Sequence, residues 1–206
     1  MARKPDPQKR DRIIAAALTT FAQKGYAGTR IIEVARAAGI GKGTIYEYFR
    51  SKEELFFATL EYLLADAEQQ MSTLAETLTG SVADRLMSLA DHVIRDWIEK
   101  LELYGLVLEF WSATAALPGR RRFRDAFNDG YAAFRSSLAA LIQEGATNGE
   151  FKADIDPEKI ASALIGSWDA LLFQAWLDPD FDPLGTSRDH MRVVVAGLRQ
   201  PSNLED

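Results

Sequence analysis

Eight residues between positions 29 and 52 have the types and spacing to hold a polyanion: Thr29, Arg30, Lys42, Gly43, Thr44, Tyr46, Tyr48 and Lys52. Their chemistry is non-covalent. Cationic groups neutralise phosphate, hydroxyls and phenols hydrogen-bond phosphate oxygens and base edges, and a bare glycine backbone permits close approach. Lys42, Gly43, Thr44, Tyr46 and Tyr48 surround Ile45 and Phe49, an apolar pair spaced to face inward on one helix, so the polar set faces out. In a major groove, Lys42, Thr44, Tyr46 and Tyr48 would approach bases and nearby phosphates, while Thr29, Arg30 and Lys52 would hold the backbone.

Two short amphipathic helices hinged at Gly39 must position these groups. In the first, Ile32, Ala35 and Ala38 recur at helical spacing and Thr29 is placed to cap the N-terminus. Gly39 supplies the positive φ of a sharp turn, and Ile40 plugs the angle. A preceding helix starts at Asp6 with Pro7 in its first turn, buries Ile14, Leu18 and Phe21, and stops at Gly25. The capping box Ser51-x-x-Glu54 opens a fourth helix. Its stripe of Phe56, Leu60, Leu63, Ala67, Met71, Leu74 and Leu78 predicts a lever of about 28 residues, roughly 40 Å long.

The 206 residues suffice for one large domain or two small ones. A formal net charge of -6 conceals a sign change: residues 1–55 carry 11 Lys/Arg against 6 Asp/Glu, the remainder 13 against 24. A basic head on an acidic body attracts a polyanion at one end and orients the molecule at the other. The chain has no Cys, which excludes disulfides and Cys-ligated metals and fits a reducing compartment. The basic N-terminus lacks a signal's apolar core. The stretch Ala163 to Leu177, interrupted by Ser167, Asp169 and Gln174, reads as too short to span a bilayer. The expected location is the cytoplasm.

No strand pattern appears, and the expected class is all-α. Further helices are predicted over about 81–100, 101–116, 122–144 (ending near Gly145), 156–177 (signalled by Asp156-Pro157) and 187–198 (capped by Thr186 or Ser187), with Pro118-Gly119 as a break and Asn148-Gly149 as a turn. Asp84 is a possible cap for the first of these. About five residues at each end read as disordered. The expected division is a DNA-binding domain at 7–67, with its two-helix motif at 30–49, and a second domain at 68–206.

Other chemistries fail on spacing. Gly39 to Thr44 superficially suggests a phosphate-binding loop, but Arg36 stands where the first Gly is needed and Gly43 follows Lys42. Asp178, Asp180, Asp182 and Asp189 faintly suggest a calcium loop, but Pro183 occupies the obligatory Gly position and no Glu closes it. Arg120, Arg121, Arg122 and Arg124 read as an exposed helix start partly neutralised by Asp125 and Asp129. His92 and His190 are too isolated for a metal site, and no nucleophilic triad is visible. The chain reads as a non-enzyme with neither cofactor nor metal.

The stretch from about Gln8 to Leu60 resembles the tetracycline-repressor (TetR) family of transcriptional regulators. The matching features are Phe21-Ala22-Gln23-Lys24-Gly25-Tyr26, Val34-Ala35-Arg36-Ala37-Ala38-Gly39, Gly43-Thr44-Ile45-Tyr46-Glu47-Tyr48-Phe49, and Ser51-Lys52-Glu53-Glu54-Leu55. The opening Met1-Ala2-Arg3-Lys4 is similar to the drug-efflux (AcrR-type) repressors of that family. Two positions depart: Arg30 stands where Thr or Ser is usual, and Gly41 where Ser or Thr usually caps the recognition helix. A Gly cap costs only a few tenths of a kcal/mol, so the departures bear on operator sequence and not on fold.

The resemblance implies about nine helices, an N-terminal three-helix head and a C-terminal ligand-binding and dimerisation bundle. It implies a homodimeric repressor of a palindromic operator in double-stranded DNA, released by a small hydrophobic effector. A DNA-binding activator or architectural regulator without an effector is the alternative. Aromatic residues at helical spacing nominate His92, Tyr104, Phe110, Trp111, Tyr131, Phe134 and Trp168 for an effector pocket, with Glu109, His92 and Asp169 as polar orienting groups. The 156–177 helix is apolar on more than one face, which calls for a second subunit. Ile165, Leu172, Trp176, Val194 and Leu198 are the expected interface.

Overall fold

The computed structural model describes residues 6–200. Among them are nine α-helices: α1 (Pro7–Gly28), α2 (Ile31–Ala37), α3 (Lys42–Tyr48), α4 (Lys52–Thr77), α5 (Val82–Glu99), α6 (Tyr104–Ala116), α7 (Arg120–Thr147), α8 (Pro157–Leu177) and α9 (Pro183–Leu198). A 3-10 turn at Leu101–Leu103 precedes α6, and a lone bridge pairs Phe151 with Arg199. The terminal residues expected to be disordered lie outside the described residues.

Helix starts follow local chemistry. Asp6, Asp156 and Asp182 each accept a backbone N–H from the first turn of the helix they cap, and each is followed by Pro, whose missing N–H costs nothing there. Ser81 and Asp84 form a reciprocal box at α5. At α4 the Ser51 hydroxyl accepts the Glu54 N–H, but the Glu54 carboxylate reaches the N–H of Arg50. The last helix corrects the sequence reading. It begins at Pro183, four residues before Ser187, because Asp182, the last residue of the acidic connection from α8, forms a capping pair with Pro183. Ser187 is buried inside that helix.

The chain divides into two units, with boundaries inside α4, in the 3-10 turn before α6 and inside α7. One holds the described residues to Gln69 together with Glu102–Asn128, and the other holds Gln70–Leu101 and the described residues from Asp129 onward. Residues 102–128 thus pack with the N-terminal helices.

The core of the first unit joins Ile13, Ile14, Ala17 and Phe21 of α1, Ile31, Val34 and Ala35 of α2, Ile45 and Phe49 at α3, Leu55 and Phe56 of α4, Leu106 and Phe110 of α6, and Phe123 of α7. Phe56 is its hub, with ring centroids 5.1 Å from Phe21, 4.5 Å from Tyr26, 4.6 Å from Phe110 and 5.8 Å from Phe123. Leu18, Leu63 and Ala38 are only partly buried. Ile32 is 45% exposed and Ile31 takes the inward place. Adjacent isoleucines in a seven-residue helix leave its phase undetermined by pattern alone.

The second unit packs α5, α8 and α9 together with the later turns of α7. A fork of hydrogen bonds joins Arg188 to Asp91, with Nε donating at 2.9 Å to Oδ1 and Nη2 at 2.5 Å to Oδ2. The guanidinium holds the Asp91 carboxyl below the usual carboxylate range. The Glu150 carboxylate accepts the Val82 and Ala83 N–H groups, both at 2.8 Å, closing the start of α5. Helix α8 extends the apolar stretch 163–177 back to Pro157, and at 21 residues it is long and apolar enough, by length and composition alone, to cross a membrane. Here it lies against α5 and α9 and buries Ala161, Leu164, Ile165, Trp168, Leu171, Leu172 and Ala175.

Candidate nucleic-acid interface

The two-helix motif is built around its apolar interior. Gly39 has φ +67°, and its neighbours close the corner: Ala38 N–H reaches Val34 at 2.9 Å and Ile40 N–H reaches Ala35 at 3.0 Å. Gly41 is the N-cap of α3, without a side-chain cap. Ile45 and Phe49 are fully inward, which turns Lys42, Gly43, Tyr46 and Glu47 to solvent and leaves Thr44 at the margin. The Lys42 ammonium stands 5.9 Å from the Tyr46 ring centre, the outer limit of a cation–π contact. Arg30 is the N-cap residue of α2. Its backbone N–H is taken by Glu33 at 2.8 Å and its side chain extends into solvent, with Nη2 3.6 Å from Glu33. Glu33 also takes a 2.7 Å hydrogen bond from Lys24, and these bonds pull its pKa down to about 2.

Three of the nominated residues have other duties. Thr29 does not cap α2. It is 1% exposed, and its hydroxyl donates to the Gly25 carbonyl at 2.8 Å, so its side chain is turned into the protein. The Tyr48 phenol accepts the Asp6 N–H at 3.1 Å, fastening the start of α1 to the end of α3. The Lys52 ammonium lies 4.6 Å over the Tyr26 ring and donates to the Ala27 carbonyl at 3.4 Å. Partial burial lowers its pKa. Arg30, Lys42, Gly43, Thr44 and Tyr46 remain presented outward, and the structure adds Arg36 and Arg50 as exposed cations on the same motif.

Sequence reasoning missed two carboxylates. Glu109, nominated for a ligand pocket, accepts the Tyr26 N–H at 2.6 Å where Gly25 (φ +70°) breaks α1. Glu53 accepts the Gly119 N–H and Arg122 Nη2, both at 3.1 Å, while the Arg122 guanidinium stacks 4.6 Å over Phe57. Both contacts span more than sixty residues, beyond any local pattern. Arg122 is thus an internal tie, unlike Arg121, whose exposed guanidinium pairs with Asp125 at 3.8 Å on the surface. An alanine Cβ at Gly25 would lie 2.6 Å from Glu109 Oε1 in a backbone region unfavourable to side chains. Gly25→Ala is expected to lose at least about 1–2 kcal/mol of stability, read from the urea midpoint at unchanged slope.

The aromatic nominees fall in different units. Phe110 is closed in the first unit's core, and the same unit contains Tyr104, which is buried, and Trp111, which is half-buried. His92 is exposed on α5. Tyr131, Phe134 and Trp168 meet between α7 and α8: the Tyr131 hydroxyl donates to Asp169 at 2.7 Å and the Phe134 and Trp168 rings are 6.0 Å apart. Burial pushes the Asp169 carboxyl above its ordinary pKa.

The interface nominees also divide. Ile165, Leu172 and Leu198 are buried in their own unit, while Trp176 is exposed and Val194 partly so. On α8 and α9 the large exposed apolar side chains are Phe173 (40%), Trp176 (41%), Leu177 (59%) and Val193 (72%), and Ile98 at the end of α5 is also exposed. Gly166 and Ala170 continue the exposed side of α8, and a Cβ at Gly166 or Gly197 would meet open space.

Residues 13–59 match the family model for bacterial regulatory proteins of the tetR family, and residues 109–191 match the tetracyclin repressor-like C-terminal domain. The HTH-type transcriptional repressor NemR of Escherichia coli is 24% identical over 187 residues, covering 91% of this chain and 94% of its own length. The HTH-type transcriptional repressor DhaR of a Mycobacterium species is 24% identical over 202 residues, with 98% and 96% coverage. A TetR transcription regulator of Haloarcula marismortui has a TM-score of 0.82 at 25% identity, covering 95% of this chain and 100% of that one. With the family's DNA-reading segment and its C-terminal domain both matched on one chain, this protein belongs to the tetR family of bacterial regulatory proteins, which regulate transcription by binding DNA and are not enzymes.

Proposed function

We propose that this protein is a cytoplasmic repressor that binds a palindromic operator as a homodimer and leaves it when a lipophilic or aromatic small molecule binds. The observation that carries the DNA reading is the outward face of α3, where Lys42, Gly43, Thr44 and Tyr46 stand over Ile45 and Phe49. Seven residues with short donors and one cation suit a major groove. Arg30, with Arg36 and Arg50, supplies phosphate contacts. Lys52 does so after turning from the Tyr26 ring. Tyr48 acts by holding α1, and Thr29 by closing the Gly25 break.

The repressor role follows the names of the relatives. The dimer reading rests on Phe173, Trp176, Leu177 and Val193, an exposed apolar set beside small residues that let a second helix approach closely. The effector reading rests on Tyr131, Phe134 and Trp168, whose buried indole N–H has no partner among the described residues, beside the Asp169 carboxyl. Aromatic walls with a few polar groups suit a flat, partly polar ligand.

Operator fragments selected from genomic DNA test the core of this proposal. Lys42→Ala is expected to weaken specific binding by about 1–3 kcal/mol and relax preference at one operator position. Arg36→Ala is expected to weaken all sequences alike and lower the salt slope by about one per contact. Equal effects of the two substitutions on specificity would overturn the assignment of roles.

A further inference from the structure

We infer that Glu109 is a positioning residue for operator binding: from α6, it fixes the joint at which α1, α2 and α4 meet. The geometry begins with the broken helix. At Gly25 the backbone leaves the helical region (φ 70°, ψ 165°), and the chain resumes a helical turn through Gly28. The Tyr26 N–H thereby loses the carbonyl one turn back that a continuous helix would give it. Its acceptor is the Glu109 carboxylate at 2.6 Å, supplied by a helix 83 residues away. A charged acceptor makes this one of the stronger kinds of hydrogen bond.

Glu109 is itself rigidly placed. Leu106, Phe110 and Ala113 on α6 are buried in the core that holds Phe21 and Phe56, so α6 cannot slide without disturbing that packing. Everything downstream of the break is aimed by it. The Thr29 N–H and hydroxyl both return to the Gly25 carbonyl, at 3.2 and 2.8 Å, and the next residue, Arg30, begins α2. Lys52, the first residue of α4, rests on the Tyr26 ring and the Ala27 carbonyl. A second carboxylate contact supports the arrangement, since Glu53 on the first turn of α4 holds Gly119 and Arg122 at the start of α7.

Without Glu109, the Tyr26 N–H is satisfied by straightening α1 through Gly25. That turns Thr29 and Arg30, and with them the start of α2, away from their present places. Glu109 touches no DNA in this account; it acts through the segment 25–30.

The test uses the full-length protein and a selected operator duplex. Glu109→Ala is expected to weaken operator binding about tenfold, whereas Glu109→Gln, which keeps an oxygen acceptor for Tyr26, stays within about threefold of the parent. Amide exchange in the parent is expected to show Tyr26 protected, and more so when the operator is bound. In Glu109→Ala that protection falls while exchange in α5 and α8 is unchanged. Parent-like operator affinity in Glu109→Ala overturns the inference, as does a Gln variant as weak as the Ala variant. Should Glu109→Ala fail to fold, free exchange of the Tyr26 amide in the parent still overturns it, and strong protection with a competent Gln variant supports it.

Discussion

Phe56→Ala is expected to lose about 3–5 kcal/mol of folding stability, the range for deleting a fully buried aromatic side chain. The position justifies the upper part of that range. Phe56 is the ring through which α1, α4, α6 and α7 communicate, since Phe21, Tyr26, Phe110 and Phe123 all lie within 6 Å of its centroid. Four surrounding rings on three other helices cannot all move inward to refill the space, so most of the cavity persists. Against a typical total of about 5–15 kcal/mol, the variant would be poorly folded at growth temperature and operator binding would fall with it. Urea denaturation of Phe56→Ala and Phe56→Leu checks this, with the leucine variant losing less. A loss below about 1.5 kcal/mol for alanine would show that the core collapses around the hole and that Phe56 is not its hub.

The second large effect concerns assembly. Phe173→Glu and Val193→Glu are expected to give folded monomers that no longer retain the operator. Both side chains are already exposed, at 40% and 72%, so a charge there costs the protomer little. In a paired face it would be desolvated without a partner, at a cost of several kcal/mol. A monomer offers one reading head and forfeits the effective concentration that binding of the first head gives the second. Sedimentation of the parent and both variants at micromolar concentration, beside operator retention, decides the matter. A monomeric parent would sink the dimer reading.

What could be read from sequence was whatever depends on neighbours within a turn or two. Gly39, Ile45 and Phe49 took the roles their spacing gave them, and Asp156-Pro157 opened α8 as its chemistry requires. The same pair at Asp182-Pro183 was obscured by the surrounding acidic run, although its carboxylate caps α9 in the same way. Choices among apolar faces were not local. Ile31 or Ile32 could have faced inward. On α8, Leu172 is buried and Phe173 exposed because α5 and α9 lie against one side only. The carboxylates Glu53 and Glu109 sit among ordinary helical residues and acquire meaning only when the chain brings Gly119 and Tyr26 to them. Thr29 illustrates the converse: its residue type suited a cap or a phosphate contact, and the bend at Gly25 claimed its hydroxyl first.

The bare side of α8 has a consequence for the cell as well as for the molecule. If only a second copy covers Phe173, Leu177 and the open ground at Gly166, the operator-competent species forms by a second-order encounter. Where the pool is dilute relative to the pair's dissociation constant, halving the copy number leaves about a quarter of that species. Gene dosage, plasmid loss and dilution at division would then be amplified at the promoter before any ligand arrives.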